Sequence, residues 1–265
     1  MRPLDYPENV RGMLCFDFDG TLFMPERDVP LEPNFFDEIR KLREAGWLWT
    51  VNTGRSLLHM LEGFEEVGFP FAPDYLVLRE REIYTPGDSF GRWHRVEAWH
   101  EKSVHDTALF FADAEGFVAK MKAYVEEETE AQWVEEVGDP AGIIASSEEE
   151  MAVIAAFVEE HRSMSDLIGV LRNTIYMRFT HRDYHKGSSL TEVARLEGLS
   201  VDQIFAIGDG HNDLDMLRPE VAGMVACVGN AHMEVKTHVR RVGGYEAAEA
   251  GSRGSVEALR HFLDE

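Results

Sequence analysis

Leu14-Cys15-Phe16-Asp17-Phe18-Asp19-Gly20-Thr21-Leu22 decides how this chain is read. Its first half is an apolar strand pattern that runs directly into two aspartates one residue apart. In α/β sheets, ligands bind just beyond the carboxyl ends of the strands. Two carboxylates held at such an edge repel each other unless a bound cation or a shared proton relieves them. Gly20 then permits a sharp turn and a close approach of backbone to ligand. The stretch reads as a catalytic edge, not as a core strand with stray charges.

Three further segments follow in order. Val51-Asn52-Thr53-Gly54-Arg55 closes a second apolar run, Trp47 to Val51. His185-Lys186-Gly187-Ser188-Ser189-Leu190 opens a helical pattern, and Phe205-Ala206-Ile207-Gly208-Asp209-Gly210-His211-Asn212-Asp213 ends another strand in a second carboxylate cluster. Any one of them could arise by chance. Four in this order, three of them at ends of apolar runs, make a single signal.

Asp17-x-Asp19, Thr53, Lys186 and Gly208-Asp209-x-x-Asn212-Asp213 resemble the four motifs of the haloacid dehalogenase superfamily. The insert between Thr53 and Lys186 is similar in position and length to the α/β cap of subclass IIB, the Cof-type, which includes sugar-phosphate phosphatases. The resemblance implies an α/β fold. A Rossmann-like parallel-sheet core would span 1–80 and 180–265, with an inserted α/β cap at 81–179 that sets substrate specificity. The cap would close over substrate and exclude water.

The same resemblance implies the chemistry. Asp17 would attack the phosphoryl group and form an aspartyl-phosphate. Asp19 would protonate the leaving alcohol and then activate water. Mg²⁺, which takes oxygen ligands, would be held by Asp17, Asp209 and the Asp19 backbone carbonyl, with Asp213 binding directly or through water. Asn212 would orient these groups on the substrate side. Thr53 and Lys186 would hold phosphoryl oxygens. Gly54 would offer its N–H to phosphate at the positive end of the helix from Ser56. The plainer alternative is that Asp17 and Asp19 only bind metal, as paired acids do in receiver domains.

Substrate contacts are less determined. Arg55 either binds substrate or pairs with a nearby carboxylate. Arg79, Arg81, Arg178 and Arg182 lie near the two crossings between core and cap, and an Arg there would read a second anionic group bidentately. Related Cof-type chains often carry Asn-Gly where this one has Arg79-Glu80-Arg81-Glu82. Salt bridges within that run are an equal reading. His181 and His185 have a spacing that suits a transition metal on a helix, but with no third ligand a polar loop is favoured. His211 would touch substrate or sit just outside the metal. Trp93 and Trp99 are either sugar-stacking rings or cap core, and Asp215 is a helix N-terminal charge.

At 265 residues, the chain has room for two compact units. Its formal net charge of −23 argues against a nucleic-acid partner, which needs a basic surface. The same charge repels phosphate globally, so Mg²⁺, Lys186 and arginines must attract it locally. Cys15 and Cys227 sit in apolar runs and read as buried free thiols. The start, Met1-Arg2-Pro3-Leu4-Asp5, has no signal-peptide stretch and no apolar run is long enough for a membrane, so the cytoplasm is expected.

The expected activity is that of a phosphoric monoester hydrolase. It would be Mg²⁺-dependent and act on a small phosphorylated metabolite, a sugar or sugar-acid phosphate. Alternatives are a phosphomutase on the same core and a non-catalytic Mg²⁺- or phosphate-binding regulatory protein. The family's dehalogenases need neither Mg²⁺ nor a second acid after the nucleophile, so Asp19 and Asp209 favour phosphoryl transfer.

Apolar periodicity predicts core strands over 13–18, 47–51, 74–78, 203–207 and 222–228. It predicts core helices over 33–45, 56–67, 188–197, 214–217 and 252–263, the last capped by Ser252. In the insert, strands are expected over 92–99, 142–145, 166–171 and 175–179, and helices over 114–128 and 148–161.

Overall fold

Parallel strands with helices on both faces are apolar along their whole length, and β1 (Gly12–Phe16) is buried at every position. The computed structural model describes residues 3–87, 91–136 and 139–263. After β1 comes α1 (Pro33–Glu44), which opens on proline, whose missing N–H would have no helical partner there anyway. β2 (Trp47–Asn52) and α2 (Leu57–Val67) follow. The Ser56 hydroxyl accepts from the His59 N–H at the start of α2, and Gly68 ends it in the left-handed region at φ 71°. β3 (Tyr75–Leu78), β4 (Glu82–Pro86) and β5 (Trp93–Arg95) complete this half.

The middle of the chain forms α3 (Glu97–Asp113), α4 (Glu115–Glu128), β6 (Gln132–Glu136), β7 (Asp139–Ile144), α5 (Glu148–His161), β8 (Ile168–Asn173) and β9 (Tyr176–His181). The last part forms α6 (Lys186–Glu197), β10 (Ile204–Gly208), β11 (Met224–Cys227), α7 (Met233–Arg241), β12 (Tyr245–Glu246) and α8 (Ser252–Leu263).

The large sheet has the order β12-β11-β10-β1-β2-β3-β4-β5. It is parallel from β12 to β3, and β4 and β5 add antiparallel. The chain builds outward from β1 on one side through β2 and β3, then on the other through β10, β11 and β12. β1 is thus the point where strand order reverses, the place where open α/β sheets bind ligands. Phe16 is in register with both Val51 and Ile207. The loops starting at Asp17, Thr53 and Asp209 therefore emerge side by side. An aromatic cluster stiffens the sheet beneath this edge. Phe16 meets Phe35 edge-on at 5.2 Å, and Trp49 stacks on Phe69 at 6.0 Å.

The second sheet, β6-β7-β9-β8, is wholly antiparallel. It has its own core of Phe110, Phe117, Met121, Ile143, Ile154 and Phe179 among others. The chain divides into two compact units, Met1–His100 with Lys186–Glu265, and Glu101–His185. The division expected from sequence lies at 81 and 179. At the first of these, β4 and β5 join the large sheet and carry the boundary further along the chain.

Several local expectations are corrected. Of 92–99 only Trp93–Arg95 is strand, and α3 starts at Glu97. Among α3 residues only Ser103 and Phe110 are buried, so the helix shows little apolar period. Residues 214–217 are turns after a 3-10 turn at His211–Asp213, where the Leu214 N–H bonds back to the His211 carbonyl. Ser252 is the first residue of α8, and its hydroxyl accepts from the Glu32 N–H at 2.9 Å, serving the start of α1 instead. β4, α3, β6, α7 and β12 have no counterpart among the expected elements. Among the described residues, no helix is long and apolar enough to cross a membrane.

Candidate active site

Each strand end delivers one part of the site. Asp17 follows β1 and is 5% exposed. Lys186, the first residue of α6, is fully buried. Its ammonium donates to Asp17 Oδ1 at 2.5 Å and to Asp213 Oδ1 at 2.6 Å. The other Asp213 oxygen accepts from the backbone N–H groups of Asp209 and Gly210, at 2.9 and 2.8 Å. Thr21 Oγ1 donates to Asp209 Oδ1 at 3.0 Å. A Cβ on Gly208 would fall 2.4 Å from the Asp213 carboxyl, and one on Gly20 2.3 Å from that of Asp209. Only glycine fits at either place.

Burial pushes the Asp17 carboxyl well above the usual range, and repulsion from Asp213 adds to it against the pull of Lys186. Asp209 is pushed up to about 7, again by burial first and by Asp213 second. Burial opposes the Lys186 charge, but Asp17 and Asp213 outweigh it and hold the ammonium protonated. Asp17, Asp209 and Asp213 each offer an oxygen, and these oxygens lie within 4.8 Å of one another. An all-carboxylate set of this kind suits a hard divalent cation. It is the one group of three or more acidic, His or Cys ligands so placed among the described residues, and neither His181 nor His185 belongs to it.

At the end of β2, Thr53 is almost fully buried, and its hydroxyl accepts from the Arg55 N–H at 3.2 Å. Asn52 donates to the Lys186 carbonyl at 3.0 Å, joining β2 to α6. Arg55 takes the pairing alternative: Nε and Nη2 donate to the two Asp19 oxygens at 2.9 and 2.6 Å. Its guanidinium lies 4.8 Å from the Phe18 ring centroid and 5.4 Å from that of Phe23.

The family model for haloacid dehalogenase-like hydrolases matches residues 108–251, just over half of the chain. The chain belongs to this family. A phosphoglycolate phosphatase of Methanothermobacter thermautotrophicus is 33% identical over 87 residues, 33% of this chain and 37% of that protein. That match spans little more than a third of the relative's length. A 5-amino-6-(5-phospho-D-ribitylamino)uracil phosphatase of Bacillus subtilis is 21% identical over 86% of this chain and 90% of its own. The sucrose-phosphatase of Synechocystis, solved with sucrose and phosphate, superposes with a TM-score of 0.70 at 18% identity, covering 96% of this chain and 98% of that one. This last likeness is one of fold, and it takes in the antiparallel unit as well as the large sheet.

Other family-derived positions fall elsewhere. Arg79 lies 3.8 Å from Glu82, the ion-pair reading of that run. Arg81 is buried, and its carbonyl accepts from the Trp99 indole at 2.6 Å. Trp93 is on β5 of the large sheet, 6.1 Å from Phe64, so neither tryptophan is core of the second unit. Arg178 is half-buried on β9 of the second unit, and Arg182 donates to the Asp166 carbonyl at 3.2 Å. His211 Nε2 is 3.0 Å from Glu234. Cys15 and Cys227 are buried free thiols.

Sequence reasoning missed Glu80 as a site residue. Arg79 and Glu80 both adopt left-handed backbone, φ 48° and 63°, costly for side chains other than glycine. Glu80 is 4% exposed. Its Oε1 accepts from Asn212 Nδ2 at 2.8 Å and would lie 3.4 Å from a Cβ on Gly54. Its N–H donates to the Thr53 carbonyl at 3.1 Å, and its carbonyl accepts from Ser189 Oγ at 2.8 Å. The family's Asn-Gly at this turn is the only sequence signal: a residue standing where glycine is usual.

Proposed function

We propose that this protein is a Mg²⁺-dependent phosphomonoesterase acting on a small phosphorylated metabolite, a sugar or sugar-acid phosphate. The observation that carries the reading is Lys186, buried and bonded to both Asp17 and Asp213 at the edge where strand order reverses. A buried ammonium there offsets the repulsion between the Asp17 carboxylate and an incoming phosphoryl dianion.

In this reading Asp17 attacks phosphorus. A bond forms between its carboxylate oxygen and phosphorus as the bond to the leaving oxygen breaks. Protonated on one oxygen, Asp19 delivers that proton to the leaving oxygen, while Arg55 stays bonded to the other oxygen and keeps the carboxyl in one orientation. Asp19 then takes a proton from the water that attacks the aspartyl-phosphate, which frees Asp17 and inorganic phosphate. The Thr53 hydroxyl, the Gly54 N–H and Lys186 hold the phosphoryl oxygens. Asp17 and Asp209 would hold Mg²⁺ with the Asp19 carbonyl. Asp213, with both oxygens already bonded, would act through water and by shaping the Asp209 loop. The ion, when bound, supplies positive charge to the phosphoryl oxygens.

Substrate choice would come from the unit Glu101–His185, with Arg178 a candidate contact, and from Arg79 at the β3 turn. Support for the substrate class comes from the relatives, which include phosphatases of phosphoglycolate and of a phosphoribityl compound.

The test is phosphate release from a panel of sugar, sugar-acid and nucleotide monophosphates, with Mg²⁺ and with chelator. Turnover that needs Mg²⁺ and disappears in Asp17→Asn is expected. Full activity in Asp17→Asn, or equal rates in chelator, would overturn the mechanism.

A further inference from the structure

We propose that Glu80 limits how tightly this site holds phosphate: it is an internal carboxylate beside the phosphoryl position that repels an incoming dianion. The proposal rests on the phosphatase reading above. Three observations carry it. Glu80 is buried, so its charge acts with little help from solvent. Its Oε1 lies beside Gly54, whose N–H would hold a phosphoryl oxygen, and takes the Asn212 amide. Its backbone sits on a left-handed turn, where a side chain is costly and glycine would be free of strain.

The charges make the consequence clear. Lys186 pairs with Asp17 and Asp213 and Arg55 with Asp19, and Glu80 adds one more negative group beside Gly54, where an oxygen of the phosphate would lie. A dianion arriving at Gly54 and Lys186 meets a carboxylate at short range. Free phosphate has no further contacts to set against that repulsion, whereas an ester can draw on binding to the rest of its structure. Glu80 thus weakens retention of the inorganic product, while the ester's added contacts keep it bound against the same repulsion.

Glu80→Gln keeps an acceptor for Asn212 and removes the charge. Glu80→Gly removes the side chain, suits the left-handed backbone and keeps the links to Thr53 and Ser189. Calorimetric titration with inorganic phosphate, at fixed Mg²⁺ and ionic strength, reads the effect. Both variants should bind phosphate at least about ten-fold tighter than the unsubstituted protein, the scale of one nearby unit charge in a poorly solvated site. Product inhibition should move to lower phosphate by the same factor. Circular dichroism melting checks the fold, and Glu80→Gly carries the test alone should Glu80→Gln not fold.

Unchanged or weaker phosphate binding in the folded variants, with ester hydrolysis present in the unsubstituted protein, would overturn the assignment and leave Glu80 as a residue that merely holds Asn212. Absence of turnover on every ester would overturn the phosphatase reading instead, whatever the phosphate affinities.

Discussion

Arg55 grips Asp19 with two parallel hydrogen bonds, at 2.9 and 2.6 Å, while its guanidinium rests on the faces of Phe18 and Phe23. The fork fixes the carboxyl plane as a single-point contact would not. A further bond to the His59 carbonyl at 3.1 Å and the bare Cα of Gly63 complete the seat. Arg55→Ala should therefore slow hydrolysis of alkyl phosphates, whose leaving group needs a proton, by about ten-fold or more. An activated aryl phosphate should lose much less. Arg55→Lys should rescue little, because an ammonium cannot grip both oxygens. Equal losses on both substrate types would reject the positioning role.

Lys186 bonds to both Asp17 and Asp213. Lys186→Met leaves both carboxylates buried beside each other. Breaking a buried pair of this kind costs about 3–5 kcal/mol, readable by denaturant unfolding. Turnover should fall at least about a hundred-fold, the usual scale for loss of one electrostatic stabiliser. A variant within a few-fold of the original rate would remove Lys186 from the machinery.

Gly208 tests the loop geometry without replacing any charged group. An alanine methyl there would lie 2.4 Å from the Asp213 carboxyl, so that side chain must move and give up the N–H groups of Asp209 and Gly210. Gly208→Ala should destabilise the fold by about 1–3 kcal/mol, as overpacking does, and should weaken Mg²⁺ binding measured by calorimetry. Unaltered Mg²⁺ affinity and stability would mean that the loop tolerates the displacement.

Asp106 offers a pH prediction away from the site. Lys102 donates to it at 2.5 Å and the Tyr184 hydroxyl at 2.7 Å. The Lys102 bond chiefly, against some burial, holds its carboxyl below the ordinary value. A carboxylate depressed in the folded state adds stability above its ordinary pKa and loses it as pH falls through the lower folded value. Because Lys102 is largely exposed, the contribution is modest, below about 1 kcal/mol. Asp106→Asn should destabilise slightly at pH 7, and the difference should vanish on acidification below the carboxylate range. A difference that grows on acidification would contradict the ion pair.

The chemistry-bearing strand ends were legible in the sequence, because a buried parallel strand is an unbroken apolar run and its end is marked by the first polar residues. The extent of α2, expected over 56–67, was legible for a related reason: its apolar period lies within neighbouring residues. α3 was not, since a helix with so few buried residues carries almost no period. The strand-like run after Arg92 misled because alternation shows that a segment can be extended, not which sheet will receive it or for how long.

The amino-acid order by itself thus determined the α/β class, the edge on which the carboxylates lie and the family to which the chain belongs. The folded structure alone decided that Arg55 serves Asp19, that Asp213 is bonded through both oxygens, and that Glu80 reaches Asn212 across 132 residues of sequence. The physical reason is the range of the interactions. Apolar runs and caps are short-range and leave their pattern in neighbouring residues. A buried charge finds its partners wherever the sheet brings them, and no local pattern records that distance.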